Sequence, residues 1–356
     1  MKTFKLGKLA ATAALILLAG ALAYLCFWPI PASPVAWVAQ TPPGYDGPHA
    51  PNTRLADLNL IDLGDQYGPE HIAIGTDGKL YVAMTSGALL RMDGDGANRE
   101  VLADTGGRVL GIAFDAQGQI IAADAMRGLL AIGGDGGVRL LTDHVSADDR
   151  IGYANSVVVA PDGVIYFTDS STRFRPADYG DTLQASVFDI LEQSATGRVL
   201  AYDPRTARTR IVAHGISFAN GIALGADGRT LLVAETGRYR VWKIDGAAEN
   251  VDVQSGAAQA RVLLDNLPGY PDNLMPGREG RIWVGLFRPR NPAADSLAQR
   301  PFFRSVLLRL PRALLPTGKA YAHVFAIDED GRVLEDLQDG SGAYVETTGA
   351  TETEDR

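Results

Sequence analysis

The feature that most limits the fold of this chain is a hairpin unit that recurs along it. Its clearest copy is Tyr153 to Ser170, YANSVVVAPDGVIYFTDS. Ser156 to Val159 alternates as a short strand, Pro161-Asp162-Gly163 supplies a turn, and Val164 to Thr168 reads as a second strand. Two β-branched runs joined by a glycine turn signal a hairpin, because glycine reaches positive φ at no steric cost. Four further segments align with it by their turn glycine: Pro69 to Ala83, Leu110 to Asp124, Asn220 to Glu235 and Asp272 to Gly285. A later strand candidate follows each copy: Ala88 to Met92, Leu129 to Ile132, Arg198 to Tyr202, Arg240 to Ile244 and Val306 to Leu310. The copies recur at roughly 40 to 65 residues, the period of propeller blades with uneven loops. Radial repetition protects the edges of such short strands. The expected fold is therefore all-β, a six-bladed β-propeller.

The repeat also fixes a register. Eight residues before Gly78, Gly163, Gly228 and Gly280 stand Glu70, Asn155, Asn220 and Asp272; the same step from Gly118 reaches Leu110. Equivalent positions on the innermost strands of a propeller face one axis, so two carboxylates and two carboxamides are expected to meet there. Taken singly, each is also an ordinary residue for a turn or strand start. Their shared offset favours a metal site. An all-oxygen donor set suits Ca2+, which takes six to eight oxygen ligands, whereas zinc prefers nitrogen and sulfur.

Those residues carry a resemblance. ANG (Ala219 to Gly221), PDN (Pro271 to Asn273) and Glu70 before the first inner strand resemble the superfamily of six-bladed propellers containing gluconolactonases, paraoxonases and strictosidine synthase-like proteins. FTDSSTRF (Phe167 to Phe174) and LEQSATGRVLAYDP (Leu191 to Pro204) are similar to the strictosidine synthase-like branch, and within it to the membrane-anchored adipocyte plasma membrane-associated proteins. The resemblance implies a catalytic calcium held by Glu70, Asn155, Asn220 and Asp272. It also places Leu110, Asn273 and Thr348 against substrate. Two positions depart from it. Paraoxonases carry a catalytic His where this chain has Leu110, and strictosidine synthase carries a blade-six Glu where Thr348 falls, with Glu346 and Glu352 close by. An amine–aldehyde condensation is thus disfavoured. The expectation is a calcium-assisted hydrolase of esters or lactones, arylesterase or lactonase in type, with Asp272 activating water or attacking directly. A non-catalytic propeller with structural calcium is the rival.

The rest of the chain frames that core. Lys2, Lys5 and Lys8 precede an apolar run from Leu9 to Trp28, long enough to cross a bilayer as a helix. The lysines predict a cytoplasmic N-terminus with the propeller on the extracytoplasmic side. Ala21-Leu22-Ala23 leaves a cleaved signal peptide as the alternative, although the apolar run continues past it. Cys26 is the only cysteine, so no intramolecular disulfide is expected. The organisation expected is 1–28 anchor, 29–52 Pro/Gly spacer and 53–356 propeller, with Leu55 to Leu63 as an outer strand. Tyr344 to Glu352 reads as the inner strand of blade six, and the residues after it leave that last blade truncated, with a poorly closed seam.

Two insertions read as helical lids. Thr182 to Ser194 sets Leu183, Val187, Ile190 and Leu191 on one helical face. Asn291 to Thr317 mixes Phe302, Phe303, Val306, Leu307, Leu310, Leu314 and Leu315 with Arg300, Arg304, Arg309 and Arg312, a pattern suited to a lipid surface or to a lid. Asp124, Asp169 and Glu235 end second strands and are expected to accept hydrogen bonds from neighbouring turns. A net charge of −9 argues against nucleic acid. The expected partners are an apolar small-molecule ester or lactone and, through the N-terminal helix, a membrane.

Overall fold

The computed structural model describes residues 2–311, 314, 318, 320–344 and 346–354. Arg312, Leu315, Val345, Asp355 and Arg356 lie outside the described residues. Each hairpin copy forms the two inner strands of a four-stranded antiparallel blade. Blade 1 comprises Ile72–Ile74, Leu80–Ala83, Ala88–Met92 and Glu100–Asp104. Blade 2 comprises Val109–Phe114, Ile120–Asp124, Gly128–Ile132 and Val138–Thr142. Blade 3 runs Ala154–Val159, Ile165–Asp169, Gly197–Asp203 and Arg208–Ile216, with Val251–Asp252 added in parallel at its outer edge. Ala219–Leu224, Thr230–Glu235, Arg240–Asp245 and Ala260–Leu264 make blade 4. Gly269–Pro276, Ile282–Pro289, Ala322–Ile327 and Val333–Asp339 make blade 5.

The five turn glycines, Gly78, Gly118, Gly163, Gly228 and Gly280, all have φ between 66° and 87°. An L side chain at any of them would be strained, which is why the glycine marks the repeat. The core lies between blades. Ile121, Ala123, Leu129 and Ala131 of blade 2, for example, pack on Val157, Ile165, Phe167 and Leu200 of blade 3. Strands buried on both faces read as continuous apolar runs, as IIAAD and GLLAI do.

Three expectations are corrected here. A sixth blade is not formed among the described residues. The described residues of Tyr344 to Glu352 form no regular strand; they link blade 5 to blade 1. Asn273 N donates to Thr348 O (2.9 Å), Thr348 Oγ1 to Glu70 O (2.9 Å) and Thr351 Oγ1 to Ile72 O (2.6 Å). Threonine hydroxyls thus bond blade 1 where a strand ladder would have done so. Leu55 to Leu63 is not a strand either. Leu55 is buried against Trp283 and Val324, and its N–H donates to Gln338 O (3.0 Å), while Leu58, Leu60 and Ile61 are exposed. Finally, Val306 to Leu310 is no strand: Pro301 opens a helix that ends at Leu307, turns follow to Leu310, and blade 5 takes Ala322–Ile327, AHVFAI, as its third strand.

Among the described residues five α-helices accompany the blades: α1 (Lys2–Phe27), α2 (Pro176–Tyr179), α3 (Thr182–Glu192), α4 (Pro292–Ser296) and α5 (Pro301–Leu307). The span Lys8–Phe27 has a mean hydropathy of 2.2 and is long and apolar enough to cross a bilayer. The Asp181 carboxylate caps α3 by accepting from Gln184 N (2.6 Å). The helix buries Ala185, Asp189 and Glu192, whereas Leu183 of the expected face is exposed. Arg304 of α5 is fully buried and donates to Leu191 O (2.9 Å), Ala298 O (3.2 Å) and Val35 O. It ties α3, the α4–α5 turn and the N-terminal segment together rather than facing water or lipid. That segment, 29–52, is extended but docked: Ser33 N donates to Glu192 Oε2 (2.6 Å) and Asn266 Nδ2 to Thr41 O (2.9 Å). It forms a strap across the helical face of the propeller.

Candidate functional site: the propeller hub

Glu70 lies just before the first strand of blade 1, while Asn155, Asn220 and Asp272 lie on the innermost strands of blades 3, 4 and 5. Close approach of those strands depends on the residue after the hub position. A Cβ at Gly221 would stand 2.3 Å from Leu274 N and 2.4 Å from Asp272 O, so only glycine lets blade 4 reach blade 5 here. Gly111, after Leu110, has the same role toward blade 3, where its Cβ would meet Asn155 O at 2.6 Å.

The hub brings Asn220 and Asp272 into direct contact, with Asn220 Nδ2 donating to Asp272 Oδ1 at 2.6 Å. Glu70 is close enough for its charge to act on Asp272. Burial, and then that charge, push the Asp272 carboxyl well above the usual carboxylate range, partly offset by the Asn220 amide. Burial raises Glu70 too, against the pull of Arg108. Asn155 has no direct hydrogen bond to the other three. Its Nδ2 donates to Ser170 Oγ (2.9 Å), which donates in turn to Ala219 O (2.7 Å) on the strand that carries Asn220.

Blade 4 repeats this arrangement one blade on. Asn220 Nδ2 also donates to Thr236 Oγ1 (3.1 Å), and Thr236 Oγ1 donates to Pro271 O (2.6 Å). In both blades a hydroxyl takes the carboxamide nitrogen and so fixes which way the oxygen points. Asn220 Oδ1 is buried without a hydrogen-bond partner, and so is Asn273 Oδ1. An orphaned buried acceptor costs about 1–3 kcal/mol, and a bound cation would satisfy it. The residues therefore fit a hard divalent cation held through oxygen.

The remaining expected residues line the same place. Asn273 Nδ2 (3.2 Å) and the Thr348 hydroxyl both donate to Glu70 O, so they brace the seam between blades 5 and 1. Leu110 is buried in one apolar cluster with Ala32 of the strap, Tyr153, Phe174, Ala185 and Phe218, and Tyr153 brings this apolar roof close enough to Glu70 and Asp272 to feel their charges. The carboxylates near Thr348 are spent elsewhere: Glu346 accepts from Arg288 Nε (3.0 Å), and Glu352 from Trp283 Nε1 (2.9 Å).

Arg108 is a hub residue that the repeat register did not yield. Its buried guanidinium donates to Glu70 Oε2 (3.1 Å), a partner 38 residues away in sequence, so no local pattern announces it. Ser170 and Thr236 were also missed, although each directly follows the carboxylate that ends a second strand, and extending the register by one residue would have found them. The carboxylates Asp124, Asp169 and Glu235 do accept turn hydrogen bonds. Asp124 Oδ1 takes Arg108 N (3.0 Å) and Met126 N (2.9 Å), Asp169 Oδ1 takes Gly152 N (3.1 Å) and Tyr153 N (2.6 Å), and Glu235 Oε1 takes Ser217 N (2.8 Å).

Comparison with known proteins agrees with this architecture. Residues 155–245 match the strictosidine synthase family model, and residues 47–92 match the strictosidine synthase-like N-terminal model. Strictosidine synthase-like protein 13 of Arabidopsis thaliana is 31% identical over 330 residues, covering 82% of this chain and 78% of the relative. The adipocyte plasma membrane-associated protein of Danio rerio is 30% identical over 335 residues, covering 88% and 77%. Among solved structures, a gluconolactonase of Xanthomonas campestris superposes with a TM-score of 0.54 at 22% identity, covering 91% of each chain. Regucalcin of Agrobacterium tumefaciens, described as a calcium-binding protein, gives 0.52 at 14% identity, covering 78% of this chain and 76% of its own. The chain belongs to the strictosidine synthase-like family.

Proposed function

We propose that this protein is a membrane-anchored, calcium-dependent hydrolase of esters or lactones, acting at the propeller hub. The observation that carries the reading is the unpaired Asn220 Oδ1 beside Asp272, in a buried site whose donors are all oxygen. The calcium-binding description of regucalcin and the activity named for the Xanthomonas gluconolactonase support it by shared fold. Glu70, Asn155, Asn220 and Asp272 would hold the ion. When bound, Ca2+ supplies electrostatic stabilisation to the negative charge that develops on a substrate carbonyl oxygen.

The chain's own residues do the rest. Asn220 orients the Asp272 carboxylate, which takes a proton from the attacking water. Leu110, Tyr153 and Phe218 exclude bulk water and contact the apolar part of the substrate. Asn273 and Thr348 line the seam side. An apolar roof suits an aryl or alkyl ester better than a sugar lactone.

The test is turnover of phenyl acetate and of an aliphatic lactone by the full chain in detergent, with Ca2+ and with a chelator. The expected result is chelator-sensitive hydrolysis that Asp272→Asn lowers by about 10²-fold or more, the scale of lost general-base catalysis. Hydrolysis indifferent to both would overturn the reading. One observation favours the rival, a ligand-binding propeller with structural calcium: Leu110 stands at the roof, and Arg108 already neutralises Glu70. Calcium binding without turnover would select it.

The Danio relative is named for its association with the plasma membrane, and α1 supplies an anchor here. Lys2, Lys5 and Lys8 support a topology with the N-terminus in the cytoplasm and the propeller on the other side. Arg309 Nε donates to Trp28 O (2.6 Å) at the end of α1, so α5, with exposed Phe302 and Phe303, stays close to the bilayer. Alanine at both phenylalanines should weaken liposome binding by a chain lacking α1; unchanged binding would remove α5 from the membrane face.

A further inference from the structure

The strap and the outer strand of blade 5 meet in a second polar cluster that the hub chemistry does not use. His49 Nδ1 and His323 Nε2 each lie 2.8 Å from Asp336 Oδ2, and the three ligand-capable atoms are all within 4.8 Å of one another. His323 is 1% exposed, and the other two side chains are largely buried. The second carboxylate oxygen, Asp336 Oδ1, accepts from Asn52 Nδ2 (3.1 Å) and from Gln338 Nε2. Two amides therefore hold Asp336 with Oδ2 turned toward both imidazoles. The rings of Tyr45 and Tyr321 pack on His323, with centroids 5.6 Å and 6.4 Å away. Tyr45 Oη and His323 Nδ1 are both buried without a partner, so this packing leaves polar capacity unspent.

We propose that His49, His323 and Asp336 bind a first-row transition-metal ion of the Zn2+ class, which staples the strap to blade 5. The chemistry separates this site from the hub. Two imidazole nitrogens and one carboxylate oxygen suit Zn2+ and its neighbours, whereas Ca2+ and Mg2+ require shells made of oxygen. Amides that orient the ligating carboxylate are the outer-shell support such sites carry. The ligands come from segments 287 residues apart, so the ion would close a loop that is entropically costly to close, at the edge of the blade next to the seam. Without an ion, each imidazole must instead spend an N–H on the same carboxylate oxygen.

The test uses the full chain in detergent, purified without a histidine tag, stripped with a chelator, and then dialysed against Zn2+ or Co2+ with Ca2+ in excess to occupy the hub. The expected result is one Zn2+ retained per chain. The Co2+ form should show the visible ligand-field bands of a tetrahedral site. His49→Gln should lose both the ion and the bands while keeping a folded circular-dichroism spectrum, since it alters only the strap. His323→Gln should lose them as well. Zn2+ raising the Tm of the parent chain but not of His49→Gln would support the staple. Zn2+ failing to stay with the parent chain, or staying equally with the His49→Gln/His323→Gln double variant, would overturn it. Neither readout depends on hydrolysis at the hub.

Discussion

Buried carboxylates occur in two settings in this propeller, and the difference between them is one of donors. Asp169 at the end of its strand is fully buried, yet it collects the Gly152 and Tyr153 amides and the Arg198 guanidinium (2.9 Å). Glu235 collects Ser217 N and Trp242 Nε1 (2.7 Å). Burial pushes both upward, but a full set of hydrogen bonds and opposite charge pulls back. Asp272 at the hub is equally buried, has one amide donor and faces a second carboxylate. A carboxylate saturated by backbone amides is part of the frame. One left short of donors, among orphaned carboxamide oxygens, is where the proposed cation would bind.

The largest effect should come from breaking the saturated member. Asp169→Asn removes the fully buried one of the two carboxylate partners of Arg198, leaving only the part-exposed Asp149 (2.7 Å), and removing one half of a buried pair costs up to about 3–5 kcal/mol. Chemical denaturation should show that loss with Ca2+ and with chelator alike. Asp272→Asn should behave in the opposite way. In chelator its stability should match or exceed that of the parent chain, because a neutral amide replaces a carboxyl that burial already disfavours as an anion. At Ca2+ 100-fold above Kd the parent chain should gain about 2.7 kcal/mol, and Asp272→Asn should gain none. Equal losses for the two variants would erase the distinction between frame and site.

A further buried carboxyl belongs to neither class. Asp189 of α3 has both oxygens buried and unpaired, and burial pushes it to about 7. Within that value the Glu192 and Asp169 charges add to the rise, and the polar groups of Ser171 and Phe218 close by oppose it. A folded-state value above that of the unfolded chain means stability that is fully present below about 4 and is lost as pH rises through 7. Asp189→Asn should therefore leave the unfolding free energy unchanged near pH 4 and raise it at pH 8, by an amount on the order of 2–4 kcal/mol. An equal shift at both pH values would mean that the carboxyl keeps its charge throughout.

What the sequence made legible follows from the range of each interaction. The hairpin copies were readable because a positive-φ glycine and period-two alternation are local, and the hub register follows from them by counting. The ends of blade 5 were not. Val306 to Leu310 is a short apolar run, which periodicity cannot assign to helix or strand. Ala322–Ile327, buried on both faces, lacks the alternation that would mark it. Tyr344 to Glu352 has a strand-like pattern, but whether a blade forms depends on pairing that the pattern does not encode. Arg108 with Glu70 and His49 with Asp336 are pairs of the same kind, 38 and 287 residues apart. No window along the chain contains both members of the second pair, and only the blade geometry brings either pair together.

The smallest effect tests how finely the hub is set. Ser170 and Thr236 occupy equivalent places in blades 3 and 4, and each holds a carboxamide nitrogen while donating to the next blade's inner strand. Thr236→Val keeps the shape but removes both bonds, leaving Asn220 tied only to Asp272. Ser170→Ala removes the Nδ2 bond shown for Asn155. Each lost hydrogen bond is worth about 0.5–1.5 kcal/mol, so Ca2+ affinity measured by calorimetry should fall several-fold in either variant. Turnover at saturating Ca2+ should stay near the parent value, because these hydroxyls position the carboxamides and do not touch substrate. The blade 4 variant should be the more affected of the two, since Asn220 is the ligand in contact with Asp272. A reversed order would shift the weight of the site toward Asn155, and unchanged affinity in both would show that strand packing alone orients the amides.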